Sequence, residues 1–182
     1  YAEFIGGGDP LAETVNPSVL IPDGNFSDWL ELFPKKLIID RGHSGSCPRA
    51  ADISHFAAIA GDEQLLVGAF ASDALIDEPK AHWELVIDLP NQQTQLLVSM
   101  AEASRRFVVK NAQSGMIIQT RELAPTMGRG TLEIPLNRLE LGLQPWTSDR
   151  NSMRLRLRTI YNAGAEELFC DETAWFSPEF NQ

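Results

Sequence analysis

Three arginines stand at alternate positions, Arg154, Arg156 and Arg158, in the run Met153-Arg154-Leu155-Arg156-Leu157-Arg158-Thr159-Ile160-Tyr161. Alternate residues of an extended strand share a face about 7 Å apart. The row would therefore present its guanidinium groups along one line, a spacing that suits carboxylates or sulfates on a polymer or an acidic protein partner. A solvated face balanced by the surplus of Asp and Glu is the ordinary use of such a row. Trp83, Trp146 and Trp175 are a second kind of candidate, because sugars bind by stacking on flat aromatic faces while polar side chains reach their hydroxyls. Trp146 lies in the loop-like Gln144-Pro145-Trp146-Thr147-Ser148-Asp149, Trp83 opens a strand-like run, and Trp175 follows Asp171-Glu172-Thr173. Core or rim packing is the ordinary use of each.

Carboxylates gather at Asp23/Asp28, Asp73/Asp77/Glu78 and Asp171/Glu172. Calcium draws about six to eight oxygens from loops of this kind, so Asp23, Asp28 and Asp171 are the candidate ligands of a structural calcium, although no run has the D-x-[DN]-x-[DN]-G pattern. Cys47 and Cys170 are the only cysteines, far apart and without metal-ligand spacing. Two readings stay open, a disulfide joining the early and late parts of the chain or two buried thiols, and the acidic, secreted-looking composition favours the first. Closing so long a loop would stabilise the fold by roughly 4–5 kcal/mol in the chain-entropy model. The segment Arg41-Gly42-His43-Ser44-Gly45-Ser46 departs from the nucleophile elbow G-x-S-x-G at Ser46 and has no parallel α/β framework around it. His43, His55 and His82 share no triad or metal spacing, so catalysis is not expected.

Something must position these groups, and the bulk numbers say what. At 182 residues, 43% hydrophobic and 22% charged, the chain is expected to form one globular domain. A net charge of −10 argues against nucleic acid, whose phosphates the protein's field would repel. No apolar run reaches the roughly 18 residues a membrane-spanning helix needs. The opening at Tyr1, without methionine or leader, fits a mature or trimmed product, with a signal peptide removed. Residues 1–18, with Gly6-Gly7-Gly8-Asp9-Pro10 and Asn16-Pro17, read as an extended arm or linker, and residues 19–182 as the domain.

Within the domain, short apolar runs separated by turn residues predict strands at 36–40, 55–60, 64–72, 82–89, 95–100, 106–111, 116–122, 130–135, 151–161 and 167–170. This is the pattern of an all-β, two-sheet antiparallel sandwich, jelly-roll or immunoglobulin-like, with short helical turns near 26–32 and 136–139. Alternation is clearest where Met153, Leu155, Leu157, Thr159 and Tyr161 oppose the arginine row and Ile160. Trp29 is expected in the core, behind a turn at Asp23-Gly24 and a cap at Asp28. Asn25-Phe26-Ser27 satisfies the N-glycosylation sequon.

Four segments, in order, give a resemblance: Ile21-Pro22-Asp23-Gly24-Asn25-Phe26-Ser27-Asp28-Trp29, Ala51-Asp52-Ile53 through Asp62-Glu63-Gln64-Leu65-Leu66-Val67-Gly68, Trp83-Glu84-Leu85-Val86-Ile87-Asp88, and Thr131-Leu132-Glu133-Ile134-Pro135-Leu136. Together they resemble the family 9 carbohydrate-binding modules and the wider dopamine-monooxygenase N-terminal-like (DOMON-like) sandwiches. Pro22, Leu66-Val67 and the sequence after Asp88 depart from that family's pattern. The resemblance implies a tryptophan pair drawn from regions like those of Trp83 and Trp175 around a sugar, with Glu84 and Arg106 as companions, and a structural calcium. Some DOMON-like domains hold a b-type haem between Met and His or Lys, for which Met100, Met116, Met127, His55, His82 and Lys110 are available. The expected function is a non-catalytic carbohydrate-binding module of a secreted or cell-surface protein. One alternative is an assembly module using the N-terminal arm, a sheet edge and the arginine face; another is haem electron transfer.

Overall fold

The computed structural model describes Trp29, Ile38–Ile39, Cys47 and residues 51–71, 81–101, 106–122, 131–145, 152–163 and 166–180. In chain order the strands are β1 (Ile38–Ile39), β2 (Ile53–Ala60), β3 (Gln64–Ala71), β4 (Ala81–Leu89), β5 (Thr94–Ala101), β6 (Arg106–Asn111), β7 (Ile117–Glu122), β8 (Thr131–Asn137), β9 (Arg154–Ala163), β10 (Glu166–Glu172) and β11 (Glu179–Phe180). They form two sheets, one ordered β1-β2-β3-β8 with β11 also on β2, the other ordered β10-β9-β4-β5-β6-β7. Every pairing is antiparallel except that of β11 with β2. The protein is an all-β, two-sheet sandwich, as the alternating runs predict. Each of the ten expected strands is present with bounds shifted by a few residues. Only β11 is new, and two residues carry too little periodicity to announce a strand.

Between the sheets lies one core. Leu85, Ile87, Val98, Val109, Leu155 and Leu157 from the six-stranded sheet meet Phe56, Val67, Leu132 and Ile134 from the other. Each such side chain contributes about 1.5–3 kcal/mol when fully removed from water. The two sheets treat their outer faces differently. β2 and β3 read as near-continuous apolar runs because both of their faces are buried: Ala57, Ile59 and Leu66 form a second cluster beneath Trp29. β9 alternates, because its outer face meets water.

Of the expected turns, that near 136–139 is present with one refinement, while Asp23-Gly24 and, apart from Trp29, the stretch 26–32 lie outside the described residues. The segment after Leu136 is a hydrogen-bonded turn rather than a stretch of helix, since the Asn137 side-chain oxygen accepts from the amides of Leu139 and Glu140, and Gly142 takes a positive φ of 65°. Pro90–Gln92 form a single 3-10 turn. Trp29 has helical backbone. The arm at 1–18 lies outside the described residues, as do Asp23, Asp28, the sequon, the Arg41–Ser46 motif and the carboxylates at 73, 77 and 78. No helix among the described residues is long and apolar enough to cross a membrane.

Three ties bind the segment entering β2 to β9 and β10. Cys47 and Cys170 form a disulfide across 123 residues, with Cα atoms 5.5 Å apart. The Asp171 carboxylate accepts from the Ile53 amide at 2.7 Å, and the Thr159 hydroxyl donates to the Ala51 carbonyl. A bulge makes the first two possible: Phe169 faces Ile160 and Asp171 faces Thr159, so Cys170 is the extra residue. Alternation breaks there, and Cys170 and Asp171 are both buried while Phe169 is exposed.

Candidate functional site

Cross-strand register brings the arginine row against β4. Arg154 pairs with Asp88, Arg156 with Val86 and Arg158 with Glu84. These residues occupy the outer face of the six-stranded sheet, because their neighbours Leu155, Leu157, Leu85 and Ile87 are in the core. Arg154 donates from Nε to Asp88 Oδ2 at 3.1 Å and forms an ion pair with the same oxygen through Nη2. On the other side, Glu172 of β10 accepts from both remaining arginines, from Arg156 Nη1 at 2.8 Å and from Arg158 Nε.

Trp175 completes this face. After β10 the chain continues along β9: Thr173 takes a hydrogen bond from the Leu157 amide on its hydroxyl and gives its own amide to the Leu157 carbonyl, while Phe176 exchanges both backbone bonds with Leu155. Thr173 and Phe176 are buried, and the Phe176 ring lies 4.6 Å from that of Phe56. With those two side chains locked inward, Trp175 is left half-buried on the outer side. The guanidinium carbons of Arg156 and Arg154 stand 4.5 and 5.3 Å from its ring centre. Cation–π contacts of this kind contribute about 0.5–1 kcal/mol where exposed. Arg158 has a longer contact, 5.7 Å, with the exposed Phe169 ring. Nε of Arg156 is shut off from solvent and has no hydrogen-bond partner among the described residues.

Glu84 sits inside this network. Burial raises its carboxyl above the ordinary value; His82, Arg158 and Lys110 act in the opposite sense and Glu167 reinforces the rise. A carboxyl perturbed by burial beside a charged partner is a common mark of a functional face. The arrangement offers donors on three guanidinium groups, acceptors on Asp88, Glu172 and Glu84, and the rings of Trp175 and Phe169. It is equipped to bind, and among the described residues no cluster of metal ligands lies on this face.

The expected site residues part company here. Trp175, Glu84 and the arginine row come together. Trp83 does not join them: it is 1% exposed and its ring is embedded in the core among apolar neighbours, so a sugar cannot stack on it. Its place at the start of β4 was legible, but strand parity turns it inward, since Glu84 faces out. Arg106 stands two strands from β4, its backbone opposite Ala101 and Glu122. Trp146 lies outside the described residues.

The calcium expectation meets a different use of Asp171. Its Oδ2 holds the Ile53 amide and its Oδ1 accepts from the Glu172 amide at 2.8 Å, so this carboxylate braces the bulge. Among the described residues no three His, Cys, Asp or Glu side chains converge as a metal site. The haem candidates are scattered: Met100 is in the core, Met116 is exposed before β7, and Met127 lies outside the described residues. His55 and Ser54 are half-buried on β2, His55 Nδ1 lying 3.0 Å from Ser54 Oγ, whereas His82 and Lys110 belong to the other sheet.

Sequence reasoning overlooked Asp88 and Glu172 as arginine partners and Phe169 as an exposed ring. Two alternating runs, 82–88 and 154–160, carried the signal, because pairing them antiparallel places Glu84 and Asp88 opposite arginines. Compared with family models and with curated proteins, the chain matches none. What defines its class is therefore the geometry: a disulfide-linked, two-sheet β-sandwich with a charged aromatic face.

Proposed function

We propose that this chain is a non-catalytic carbohydrate-binding module of an extracytoplasmic protein, and that its ligand meets the face formed by Trp175, Arg154, Arg156, Arg158, Glu172, Asp88 and Glu84. The observation that carries this reading is the setting of Trp175, a half-buried indole on the outer side of the sandwich, flanked by two guanidinium groups that are themselves held by carboxylates. Stacking supplies apolar contact to a sugar ring, and paired Arg and Asp or Glu supply donors and acceptors in fixed directions for hydroxyls. The resemblance to family 9 modules in the order of four segments agrees with it. The Cys47–Cys170 disulfide supports an oxidising compartment. A glycan-array screen of the purified chain tests the reading: specific, saturable binding to one glycan class is expected, and an empty array at high protein concentration contradicts it.

A second reading, an assembly module, is favoured by one observation. Met116 and Ile117, 64% and 59% exposed, lead into β7, the last strand of its sheet among the described residues. Exposed apolar groups beside a sheet edge suit pairing with another chain. That reading predicts a molecular mass that rises with concentration and falls back in Met116→Lys/Ile117→Lys.

A further inference from the structure

The arginine row looks, in sequence, like a receptor for anions, yet its charge is already answered. Asp88 holds Arg154, and one carboxylate, Glu172, accepts from both Arg156 and Arg158. Glu84 stands opposite Arg158 in the register. Three guanidinium groups thus face three carboxylates, on a chain whose net charge is −10. A sulfate or carboxylate approaching Arg156 or Arg158 would have to displace Glu172 or sit beside it, and like charges in that position repel. A hydroxyl meets no such barrier. It can donate to a lone pair of Glu172 while accepting from a guanidinium N–H that the ion pair leaves over.

We propose that Glu172 is the specificity-determining residue of this face: by holding Arg156 and Arg158 it admits uncharged, hydroxyl-bearing ligands and refuses polyanions. The proposal rests on the face being the ligand site. Glu172 is well placed for the role. Its amide donates to Asp171 Oδ1, and Asp171 is buried and anchored on Ile53, so the backbone that aims Glu172 is fixed by the β10 bulge. The side chain itself is 38% exposed. Removing its charge leaves that bracing intact while taking the shared acceptor away from two guanidinium groups on alternate residues of β9, Arg156 beside Trp175 and Arg158 beside Phe169.

The test measures binding of dextran sulfate and of unmodified dextran to the native chain and to Glu172→Gln, at physiological salt, where charges more than about 8 Å away are largely screened. Glu63→Gln, in the exposed turn between β2 and β3, gives the same change in net charge at a distant site and serves as the control. Glu172→Ala, checked for folding by circular dichroism, repeats the charge loss without the amide. The expected result is no measurable binding of dextran sulfate to the native chain or to Glu63→Gln. At least tenfold stronger binding is expected in both Glu172 variants, abolished when Arg156→Gln and Arg158→Gln are added. Tight, salt-sensitive binding by the native chain, or variants that bind the polyanion no better than Glu63→Gln, overturns the proposal. Failure of the glycan reading appears separately, as an empty neutral-glycan array for the native chain whatever the dextran sulfate result.

Discussion

The indole of Trp29 lies against the backbone of Gly68, so close that a Cβ at Gly68 would stand 2.5 Å from the ring. The ring's Nε1 donates to Glu133 Oε1 at 2.8 Å, and Glu133 faces Gly68 across β3 and β8. Glycine is needed at 68 for this approach, not for backbone freedom. A buried carboxylate is needed beside it, because an indole N–H left unpaired in the interior costs about 1–3 kcal/mol. Gly68→Ala forces either the ring or the strand to move, and overpacking of this kind costs about 1–3 kcal/mol. Urea unfolding of the variant checks it: a lowered midpoint with an unchanged slope is expected.

Much of this was readable in advance. Strand positions followed from alternation, and Trp29 was expected inside because a large aromatic after a turn and a cap usually closes one end of a sandwich. The inward turn of Trp83 was equally contained in the sequence, since it shares parity with Leu85 and Ile87, but the resemblance drew it outward. The disulfide was one of two open readings, because cysteines 123 residues apart are joined only by topology. Glu172 as the holder of Arg156 and Arg158 was not legible at all. It depends on the bulge at Cys170, which shifts the face on which residues 171 and 172 emerge, and a bulge leaves no periodic signal.

Asp171→Asn should destabilise the fold through that same bulge. It keeps the shape but replaces one of two acceptors with a donor, so the Ile53 or Glu172 amide loses its carboxylate oxygen. Charge-assisted bonds to backbone amides are the stronger kind, so a loss of about 1–3 kcal/mol is expected. Thermal unfolding measures it, and faster hydrogen exchange of the Ile53 amide should accompany it.

Removing the Cys47–Cys170 bond in a Cys47→Ala/Cys170→Ala chain should cost up to about 4–5 kcal/mol, the loop-closure entropy of a long cross-link. Equilibrium unfolding of the two chains under the same conditions gives the difference. No loss would mean that native-state strain or residual structure in the unfolded chain offsets the loop-closure entropy.

Glu84 provides a pH signature. Its folded-state carboxyl is raised by burial, so between the ordinary carboxylate value and the raised one the folded chain binds more protons than the unfolded chain. Stability contributed by this group is then present at low pH and is lost as pH rises through the folded value. Glu84→Gln should flatten that part of the stability profile, leaving the native chain relatively less stable than the variant at neutral pH. Paired urea titrations from mildly acidic to neutral pH report the difference.

Trp175 carries the central claim, and isothermal titration of the glycan identified on the array, with native chain and Trp175→Ala side by side, tests it most directly. Thr173 and Phe176 hold the backbone on either side, so the variant should keep its circular dichroism and most of its thermal stability. Loss of a stacking aromatic at the centre of a site costs about 2 kcal/mol or more, which is about thirtyfold in Kd. Binding weakened to that degree in a folded variant is the predicted result; unchanged affinity in folded Trp175→Ala would show that the ligand is bound elsewhere and would contradict the account.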